Sequence, residues 1–437
     1  MFAASSGWRA LGRRVAVAAL AAGLAGTAPL SAQPLTVWHD GGENGTRLFT
    51  AMGEAFAKTR AGVSVRATSY PTDQWFGRVT AALNTDTAPD LIFNNYERVI
   101  RIAAQTGRVM DMRAVLADIA DRDFLAEDDI RVATYEGRMI ILPVQRVQMA
   151  LGVRKSWLDK LGESFPATWE DARRLATRIG REHPDGDPNG TLFGFALQAA
   201  KPRDLVHMLD LFIFGAGLKH TLIDPQGNIT IDQPRHTTVL EAFLKAYTTD
   251  RLVPPDTVNY SFGEMYQVIE GGRAGMFRVG DWNVGKWDGP TLKGDFVTGP
   301  WPRFFPELQN GVVIGGMRGV AVPENAPNKA LAIAFARFML TREAQQMSLA
   351  IMGAAVRKDL DVAALSPRAQ FFAAPKGTLY AYDFPESVHS FYPELEAAFH
   401  KKLMGALTRP PADWQVFIAE TATEMRATAK TLAARKN

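Results

Sequence analysis

Short apolar stretches alternate with stretches of helical periodicity in the first part of the chain. Leu35–His39 and residues 63–67 have the compact apolar character of strands, and amphipathic segments follow them at residues 48–56 and 73–83. This alternation is typical of a parallel sheet whose strands are joined by crossover helices. We therefore predict an α/β fold.

A polar cluster interrupts the next pair of strand and helix. Residues 90–93 form an apolar run, and apolar side chains then recur at helical spacing until Gly107, a residue type that commonly ends helices. Ligands of open α/β sheets bind at the carboxyl ends of the strands. The polar residues between this strand and the following helix are therefore candidates for a binding site. Solvated charges at a helix start would give the same pattern. The residues concerned are Asn94, Tyr96, Glu97 and Arg98.

Helical patterns dominate the second half of the chain. We expect Pro143 to end a long strand that follows a hairpin at residue 134, and to mark the exit from a first domain. Thr168 and Asp171 have the spacing of a capping box at a helix start. No internal repeat or low-complexity linker separates the parts, which predicts two lobes and a chain that crosses between them more than once. Strand patterns return at residues 228–232, Ala274–Gly280, 295–302 and 311–322, and a helical pattern follows at 328–340.

The N-terminus has the pattern of a secretory signal peptide. Arg9, Arg13 and Arg14 precede an apolar segment at residues 15–26, and small residues lead to a cleavage site after Ala32. No later stretch is apolar over the roughly 20 residues that a membrane-spanning helix needs. The chain contains no cysteine, so neither a lipidated cysteine nor a disulfide is available. We therefore predict a soluble, exported, periplasmic protein whose signal peptide comprises residues 1–32.

Charge and length constrain the partners and the number of domains. Removing the signal peptide lowers the count of lysine and arginine from 49 to 46, which equals the 46 acidic residues. A formally neutral protein gives no support for nucleic acid or an anionic membrane as partner. The remaining length of about 405 residues exceeds the usual size of a single core, so two domains are expected.

Common catalytic, metal and cofactor motifs are missing or incomplete. Residues 185–190 match the first half of a calcium loop, but Ala196 occupies the position of the bidentate glutamate and Pro188 stiffens the loop, which favours a simple turn. Glycines at residues 315–319 lack dinucleotide-binding spacing, and a bulged strand or a close backbone approach is favoured there. The seven histidines are scattered, and no Gly-x-Ser-x-Gly motif occurs. We expect no metal, no cofactor and no catalytic residue.

Aromatic residues beside turn-forming residues are candidates for sugar stacking. Exposed rings suit the C–H faces of a sugar, whose hydroxyl groups need polar partners at the rim. Each ring considered alone would more commonly belong to a core. The residues are Trp75, Trp282, Trp287 and Tyr392.

The order of several segments resembles the extracellular solute-binding proteins of family 1, the sugar-binding subunits of ATP-driven (ABC) importers related to the maltose-binding protein. The resemblance covers the whole chain after the signal peptide. Its segments are LTVWHDGGENG, APDLIFNNYER, GRMIILPV, ATWEDARRLATRI, YQVIEGGRAGMFRVGDW and NKALAIAFARFMLTREAQQ. Asn94 and Val147 stand where the maltose-binding relative has a tryptophan and a sugar-binding glutamate, so maltodextrin specificity does not follow.

The resemblance implies a set of ligand-binding residues. Glu97 and Arg98 are expected to hold sugar hydroxyls, Trp282 to form a stacking platform, and the loop after the first strand to provide polar contacts. The complete set of ligand-binding candidates is Asp40, Glu43, Gln74, Trp75, Asn94, Tyr96, Glu97, Arg98, Trp282, Gly316, Arg318 and Tyr392.

The family fold implied by the resemblance is the type II periplasmic binding protein fold, in which two α/β lobes close about a hinge. Lobe 1 is expected at residues 33–143 plus 319–374, and lobe 2 at 144–318 plus 375–437. The implied function is the capture of a carbohydrate by a monomer that delivers it to the membrane permease subunits of an ABC transporter. Two alternatives remain open: the same fold holding an anionic polyol such as a glycerol phosphate between Arg98 and Arg318, and a secreted glycosidase.

Overall fold

The computed structural model describes residues 34–60, 62–119, 124–125, 127–186, 191–308, 311–373, 379–381, 389 and 391–435. The predicted signal peptide lies outside the described residues.

The described residues form eleven strands and sixteen α-helices, with two short helical turns at Thr257–Asn259 and Trp287–Thr291. The strands are β1 Leu35–His39, β2 Val65–Ser69, β3 Leu91–Asn95, β4 Thr134–Tyr135, β5 Arg138–Met139, β6 Leu142–Val153, β7 Phe193–Ala196, β8 Ala274–Gly280, β9 Val297–Gly299, β10 Val312–Ala321 and β11 Leu379–Ala381. The helices are α1 Gly42–Thr59, α2 Thr72–Leu83, α3 Tyr96–Thr106, α4 Arg113–Ala117, α5 Glu127–Val132, α6 Lys155–Leu161, α7 Trp169–Glu182, α8 Pro202–Gly215, α9 Pro234–Tyr247, α10 Phe262–Glu270, α11 Asp281–Lys286, α12 Lys329–Phe338, α13 Arg342–Met352, α14 Pro367–Ala373, α15 Tyr392–Thr408 and α16 Trp414–Ala434.

Nine of the described strands form one sheet, and β4 and β5 form a separate hairpin. The main order is β2-β1-β3-β10-β6-β8-β7, with β11 beside β10 and β9 beside β6. The predicted parallel arrangement is confirmed for β2, β1 and β3. The centre of the sheet is different, because β10 runs antiparallel to both β3 and β6, and β6 runs antiparallel to β8.

Two separate hydrophobic cores give the molecule two lobes. The first core draws its buried side chains from residues 35–144 and 317–356, and the second from residues 149–314 and 372–429. Strands β6 and β10 contribute to both cores, so this antiparallel pair crosses from one lobe to the other. The sequence-based assignment ended the first lobe at residue 374. We propose that the chain returns to the second lobe earlier, before α14, because Phe372 packs in the second core.

Two predictions about strands are wrong, one of a strand end and one of a whole strand. Pro143 does not end a strand but lies inside β6, opposite Gly319. The pairing slips beside Gly319, and a Cβ there would lie 2.1 Å from the carbonyl oxygen of Leu142, so a glycine permits the close approach and the bulge accommodates a residue that lacks an N–H. Residues 228–232 form no strand, and only Ile229 makes an isolated bridge, to Ile223.

Local signals in the sequence correctly located other features. Thr168 and Asp171 form the predicted capping box at the start of α7. Gly107 ends α3 in the left-handed conformation, with φ of 63°. The predicted bulge in the glycine-containing strand is present in β10, between Arg318 and Gly319.

Candidate functional site

Asp40, at the carboxyl end of β1, is the centre of a polar cluster on the first lobe. Its Oδ2 accepts hydrogen bonds from Arg98 Nη1 at 2.9 Å and from Thr72 Oγ1 at 3.2 Å. Its Oδ1 accepts a hydrogen bond from Arg318 Nη2. These contacts join α2, α3 and β10 to one carboxylate, and we call Asp40, Arg98 and Arg318 the Asp40 cluster.

The strand order explains why distant segments meet at Asp40. β1 and β3 are parallel neighbours, with His39 opposite Phe93, so the residues that follow the two strands lie side by side. β10 runs antiparallel along β3 and places Arg318 opposite Asn95. The guanidinium of Arg318 also lies over the ring of Phe93, 4.8 Å from its centroid. The cluster therefore forms where the carboxyl edge of the parallel strands meets the crossing strand β10.

Asn94 supports this cluster from inside the lobe. Its side chain is fully buried, and its Oδ1 accepts hydrogen bonds from the Asn95 amide at 2.7 Å and from Arg98 Nη1 at 3.4 Å. Asn94 Nδ2 has no hydrogen-bond partner among the described residues. Glu97 has a different neighbour, because its Oε1 accepts from Asn95 Nδ2 at 3.0 Å. Glu97 and Arg98 are therefore close in sequence but turn to separate partners.

A neutral histidine lies beneath the Asp40 cluster. Burial, and to a smaller extent the positive charge of Arg318, lower the pKa of His39 from 6.5 to about 4, although the charge of Asp40 opposes the shift. His39 Nδ1 accepts a hydrogen bond from the Gly41 amide at 3.1 Å, which assigns its proton to Nε2. A Cβ at residue 45 would lie 2.8 Å from Nδ1, so Gly45 lets α1 begin directly against the imidazole.

Three aromatic residues predicted to bind ligand are buried instead. Trp75, Tyr96 and Tyr392 are 0 %, 3 % and 1 % exposed, and the expectation of an exposed ring is wrong for Trp75 and Tyr392. Trp75 shares one face of α2 with Val79 and Leu83, at spacings of four residues, so it belongs to an amphipathic stripe.

The same reason applies to the other two aromatic residues. Tyr96 begins the apolar face of α3, and Tyr392 that of α15. Trp287 is likewise fully buried in the second core. Turn-forming residues beside these rings mark helix ends, and helical spacing was the signal that distinguished core from site.

Other predicted residues lie near the site without contacting its charged groups. Glu43 is exposed in the first turn of α1. Gln74 is exposed on α2, and its Oε1 accepts from Arg78 Nη2 at 3.4 Å. Gly316 lies in β10 opposite Val147, at the crossing between the lobes.

Trp282 lies on the second lobe, just after β8. Its ring is half-buried and folds over Gly280, where a Cβ would lie 2.5 Å from the ring. Its Nε1 donates to the hydroxyl of Tyr266 at 3.3 Å, and that hydroxyl donates to Asn283 Oδ1 at 3.2 Å. The indole is therefore held in place and remains partly exposed.

Arg278 lies beside this ring and was not predicted from the sequence. It is the one charged side chain inside the otherwise apolar β8, and it is fully buried. Its guanidinium lies 4.2 Å from the ring centroid of Phe262, 5.9 Å from that of Tyr266 and 5.4 Å from that of Trp282. Burial lowers the pKa of Arg278. A lone arginine within an apolar strand was the available sequence signal.

Arg278 and Trp282 form one wall of the second lobe. His207 of α8 lies beside this wall and is influenced by a charge of the Asp40 cluster. His207 Nε2 lies 3.2 Å from the sulfur of Met149, and Arg278 Nη1 lies 3.6 Å from the same atom. Burial holds the pKa of His207 well below its usual value, and the charges of Arg203, Arg278 and Arg98 lower it further. The charge of Arg98, which belongs to the first lobe, thus acts on His207 beside Arg278 in the second lobe, so the two groups of residues lie near the same junction of the lobes.

A metal-binding site is not found in the described part of the chain. The described residues contain no group of three or more histidine, cysteine or acidic side chains that could hold a metal ion. Four residues of the calcium-like turn, 187–190, lie outside them. None of the helices described is both long and apolar enough to cross a membrane.

The fold is shared with solved sugar-binding proteins. A solute-binding protein of Thermotoga lettingae TMO bound with α-D-tagatose has 17 % identity and a TM-score of 0.73, covering 91 % of this chain and 99 % of that chain. Maltose-bound MalE3 of T. maritima has 19 % identity and a TM-score of 0.73, covering 90 % and 99 %. The Thermus thermophilus maltotriose-binding protein has 20 % identity and a TM-score of 0.69, also covering 90 % and 99 %. At these identities the likeness establishes the two-lobe binding-protein fold.

Sequence comparison identifies the family. The chain matches no curated protein sequence. Residues 42–346, more than half of the chain, match the model of the family described as bacterial extracellular solute-binding protein. The chain therefore belongs to the bacterial extracellular solute-binding proteins.

Proposed function

We propose that this protein captures a carbohydrate in the cleft between its lobes and delivers it to the membrane permease of an ABC transporter. The observation that carries the proposal is that the two lobes present different kinds of group. The first lobe presents the Asp40 cluster, and the second presents the half-buried ring of Trp282. A sugar offers hydroxyl groups to charged partners and C–H faces to an aromatic ring.

The solved relatives support the same class of ligand. The three proteins with this fold named above were solved with tagatose, maltose and maltotriose. Their shared ligand chemistry, together with the family membership, favours a carbohydrate over an amino acid or a metal ion. The relatives differ in ligand size, so they support the class and leave the individual sugar open.

The architecture supports capture by closure. β6 and β10 connect the two cores through a narrow antiparallel pair, and Gly315, Gly316 and Gly319 lie in the crossing part of β10. Lobes joined in this way close by a hinge motion. We propose a monomer in which the chain returns to the second lobe before α14, since one chain supplies both lobes.

Export belongs to the proposal as well. The sequence pattern of residues 1–32 indicates a signal peptide, and the family is extracellular. We propose that the mature chain works in the periplasm and meets the permease at the membrane surface.

A glycosidase is less well supported by the side chains of the cleft. A glycosidase needs one carboxyl group that donates a proton and a second that acts on the opposite side of the bond. Asp40 is already engaged by two guanidinium groups, and Glu97 accepts from an amide. These contacts suit acids that hold neighbouring groups, so we propose binding without catalysis.

The glycerol phosphate alternative depends on two arginines that are not free. Arg98 and Arg318 both donate to Asp40, which balances part of their charge. An anion placed between them would compete with that carboxylate. A neutral or locally charged sugar that accepts the remaining N–H groups fits this arrangement better.

A thermal-shift screen tests the proposal. The purified mature chain is heated with monosaccharides, disaccharides, trisaccharides, polyols and sugar phosphates, and hits are measured by calorimetry. A ligand at 100 times its dissociation constant adds about 2.7 kcal/mol of stability. Binding of a carbohydrate without turnover of an aryl glycoside is the expected result. Stabilisation by none of the carbohydrates, or hydrolysis of the glycoside, would overturn it.

A further inference from the structure

Arg278 is a buried cation that lacks an acidic partner. Among the described residues, no carboxylate oxygen forms an ion pair with its guanidinium. Its Nη2 donates to the Tyr266 hydroxyl at 3.0 Å, its Nη1 meets only the sulfur of Met149, and its Nε has no hydrogen-bond partner in this part of the chain. Buried charge of this kind is costly unless an anion balances it, and the aromatic rings around it compensate only in part.

Asp204 is the acid whose charge acts on Arg278, and it does so from a longer distance. Burial raises the pKa of Asp204, which weakens the acid as a counter-ion, and Asp204 Oδ2 has no hydrogen-bond partner among the described residues. Its other oxygen accepts from Gln198 Nε2 at 3.4 Å. Asp204 therefore forms neither a hydrogen bond nor an ion pair with Arg278.

The other arginines near His207 have acidic partners. Arg203 pairs with Glu396, and Arg98 pairs with Asp40. Arg278, which meets His207 at the sulfur of Met149, forms no ion pair within the described residues. A negative group on the ligand would therefore balance the charge of Arg278.

We propose that Arg278 recognises a carboxylate of the bound carbohydrate, so that the preferred ligand is a sugar acid such as a uronate or an oligosaccharide that contains one. The inference rests on the proposed function and adds the chemical class of the ligand. A planar carboxylate matches the planar guanidinium in a bidentate pair, and its single charge balances that of Arg278. A phosphate, with more charge and a tetrahedral shape, would require further donors.

Access to the guanidinium requires a local side-chain movement. The rings of Phe262 and Trp282 and the thioether of Met149 lie against Arg278 in the present conformation. Met149 is unbranched and its sulfur is a weak acceptor, so a carboxylate replaces it readily at Nη1. The sugar ring that carries the carboxylate would then lie against Trp282. This arrangement uses the aromatic ring and the cation of one wall together.

Calorimetry with matched sugars tests the inference. Glucuronic and galacturonic acid, alone and in disaccharides, are compared with the corresponding neutral sugars and with glucose 6-phosphate. We expect the wild type to bind one uronate at least about tenfold more tightly than its neutral counterpart, as for a charge-assisted hydrogen bond. Arg278→Met should lose about 10- to 100-fold in affinity for that uronate and keep its affinity for the neutral sugar within about threefold.

Two further variants keep the test decisive. Arg273→Met removes an exposed arginine just before the same strand and should retain the uronate preference. Arg278→Lys keeps the charge without the bidentate geometry and should retain an intermediate preference, which covers the case that Arg278→Met does not fold. The melting temperature of each apoprotein is the control for folding.

The possible outcomes separate this inference from the proposed function. Equal or tighter binding of neutral sugars by the wild type, a preference for the phosphate, or an undiminished uronate preference in Arg278→Met would overturn the inference and leave carbohydrate capture standing. Binding of no carbohydrate at all would contradict the proposed function itself.

Discussion

Asp40 and Arg318 form an ion pair between the loop after β1 and the crossing strand β10, although 278 positions separate them in the sequence. Both side chains are largely buried, at 8 % and 11 % exposed. The pair therefore fixes one wall of the cleft to a strand that both lobes share. A ligand that contacts Asp40 or Arg318 acts directly on the junction between the lobes.

Asp40→Asn should destabilise the protein. It removes the charge that balances Arg318, and breaking one side of a buried ion pair is strongly unfavourable. We expect the free energy of unfolding to fall by about 2–4 kcal/mol in urea, because the amide keeps part of the hydrogen bonding. Glu43→Gln, at the exposed start of α1, is the matched control and should change stability by less than about 0.5 kcal/mol. Equal stability of the two variants would refute a structural role for the pair.

Arg98→Ala should weaken ligand binding with little effect on stability. The side chain of Arg98 is 31 % exposed, and Asp40 keeps its second partner, Arg318. We expect binding to weaken by about 1.5–3 kcal/mol, the range for hydrogen bonds to a charged group. Stability should change by less than about 1 kcal/mol.

Calorimetry and thermal unfolding measure the two quantities for Arg98→Ala. Arg113→Ala, which removes an exposed arginine paired with Asp111 in the same lobe, is the control and should bind normally. Unchanged affinity in Arg98→Ala beside a large fall in melting temperature would show that Arg98 is structural.

Trp75 and Trp282 should respond to alanine substitution in opposite ways. Trp75 is fully buried in the first core, so Trp75→Ala should cost about 3–5 kcal/mol of stability. Trp282 is half-buried beside the cleft, so Trp282→Ala should reduce affinity by about 1–3 kcal/mol and stability by less. Each variant serves as the control for the other. Early unfolding of Trp282→Ala with normal affinity would assign that ring to the core.

His39 should make the protein less stable as the pH falls from about 6.5 to about 4. The folded state holds the pKa of His39 at about 4, whereas the unfolded chain has the ordinary value of 6.5. Between these values the unfolded chain binds a proton that the folded chain does not, so stability falls with falling pH, by up to about 3 kcal/mol from this group.

The variant His39→Asn isolates that contribution. Asparagine keeps an acceptor for the Gly41 amide but does not titrate. The loss in free energy of unfolding between pH 7 and pH 4.5 should therefore be smaller in the variant than in the wild type by about 2–3 kcal/mol. Identical pH profiles would contradict a buried, neutral His39.

The fold was largely predictable because its signals are local. Apolar runs located β1 and β8 at their observed bounds, and the pattern of residues 311–322 located β10 to within one residue at each end. Pro143 was misleading because the tolerance of a strand for proline depends on its partner, and here the partner has a bulge beside Gly319. No property of the segment around Pro143 alone encodes that bulge.

The site was predictable only in part. The positions of Asn94 and Arg98 at a strand end indicated a ligand-binding edge, but the partner of Arg98 is Asp40, which only the parallel pairing of β1 and β3 brings near. Arg278 depends on side chains from β6, α10 and α11, which are brought together by tertiary packing. Residues whose role arises from such long-range packing carry little signal in their own sequence neighbourhood.

Small-angle scattering with and without ligand tests the central claim most directly. The claim is that one carbohydrate bridges the Asp40 cluster and the wall that carries Trp282, and so draws the two lobes together. With a carbohydrate that raises the melting temperature, we predict a smaller radius of gyration at saturation, and loss of that compaction in Trp282→Ala at concentrations that saturate the wild type. An unchanged radius of gyration in the wild type at proven saturation would contradict capture by closure.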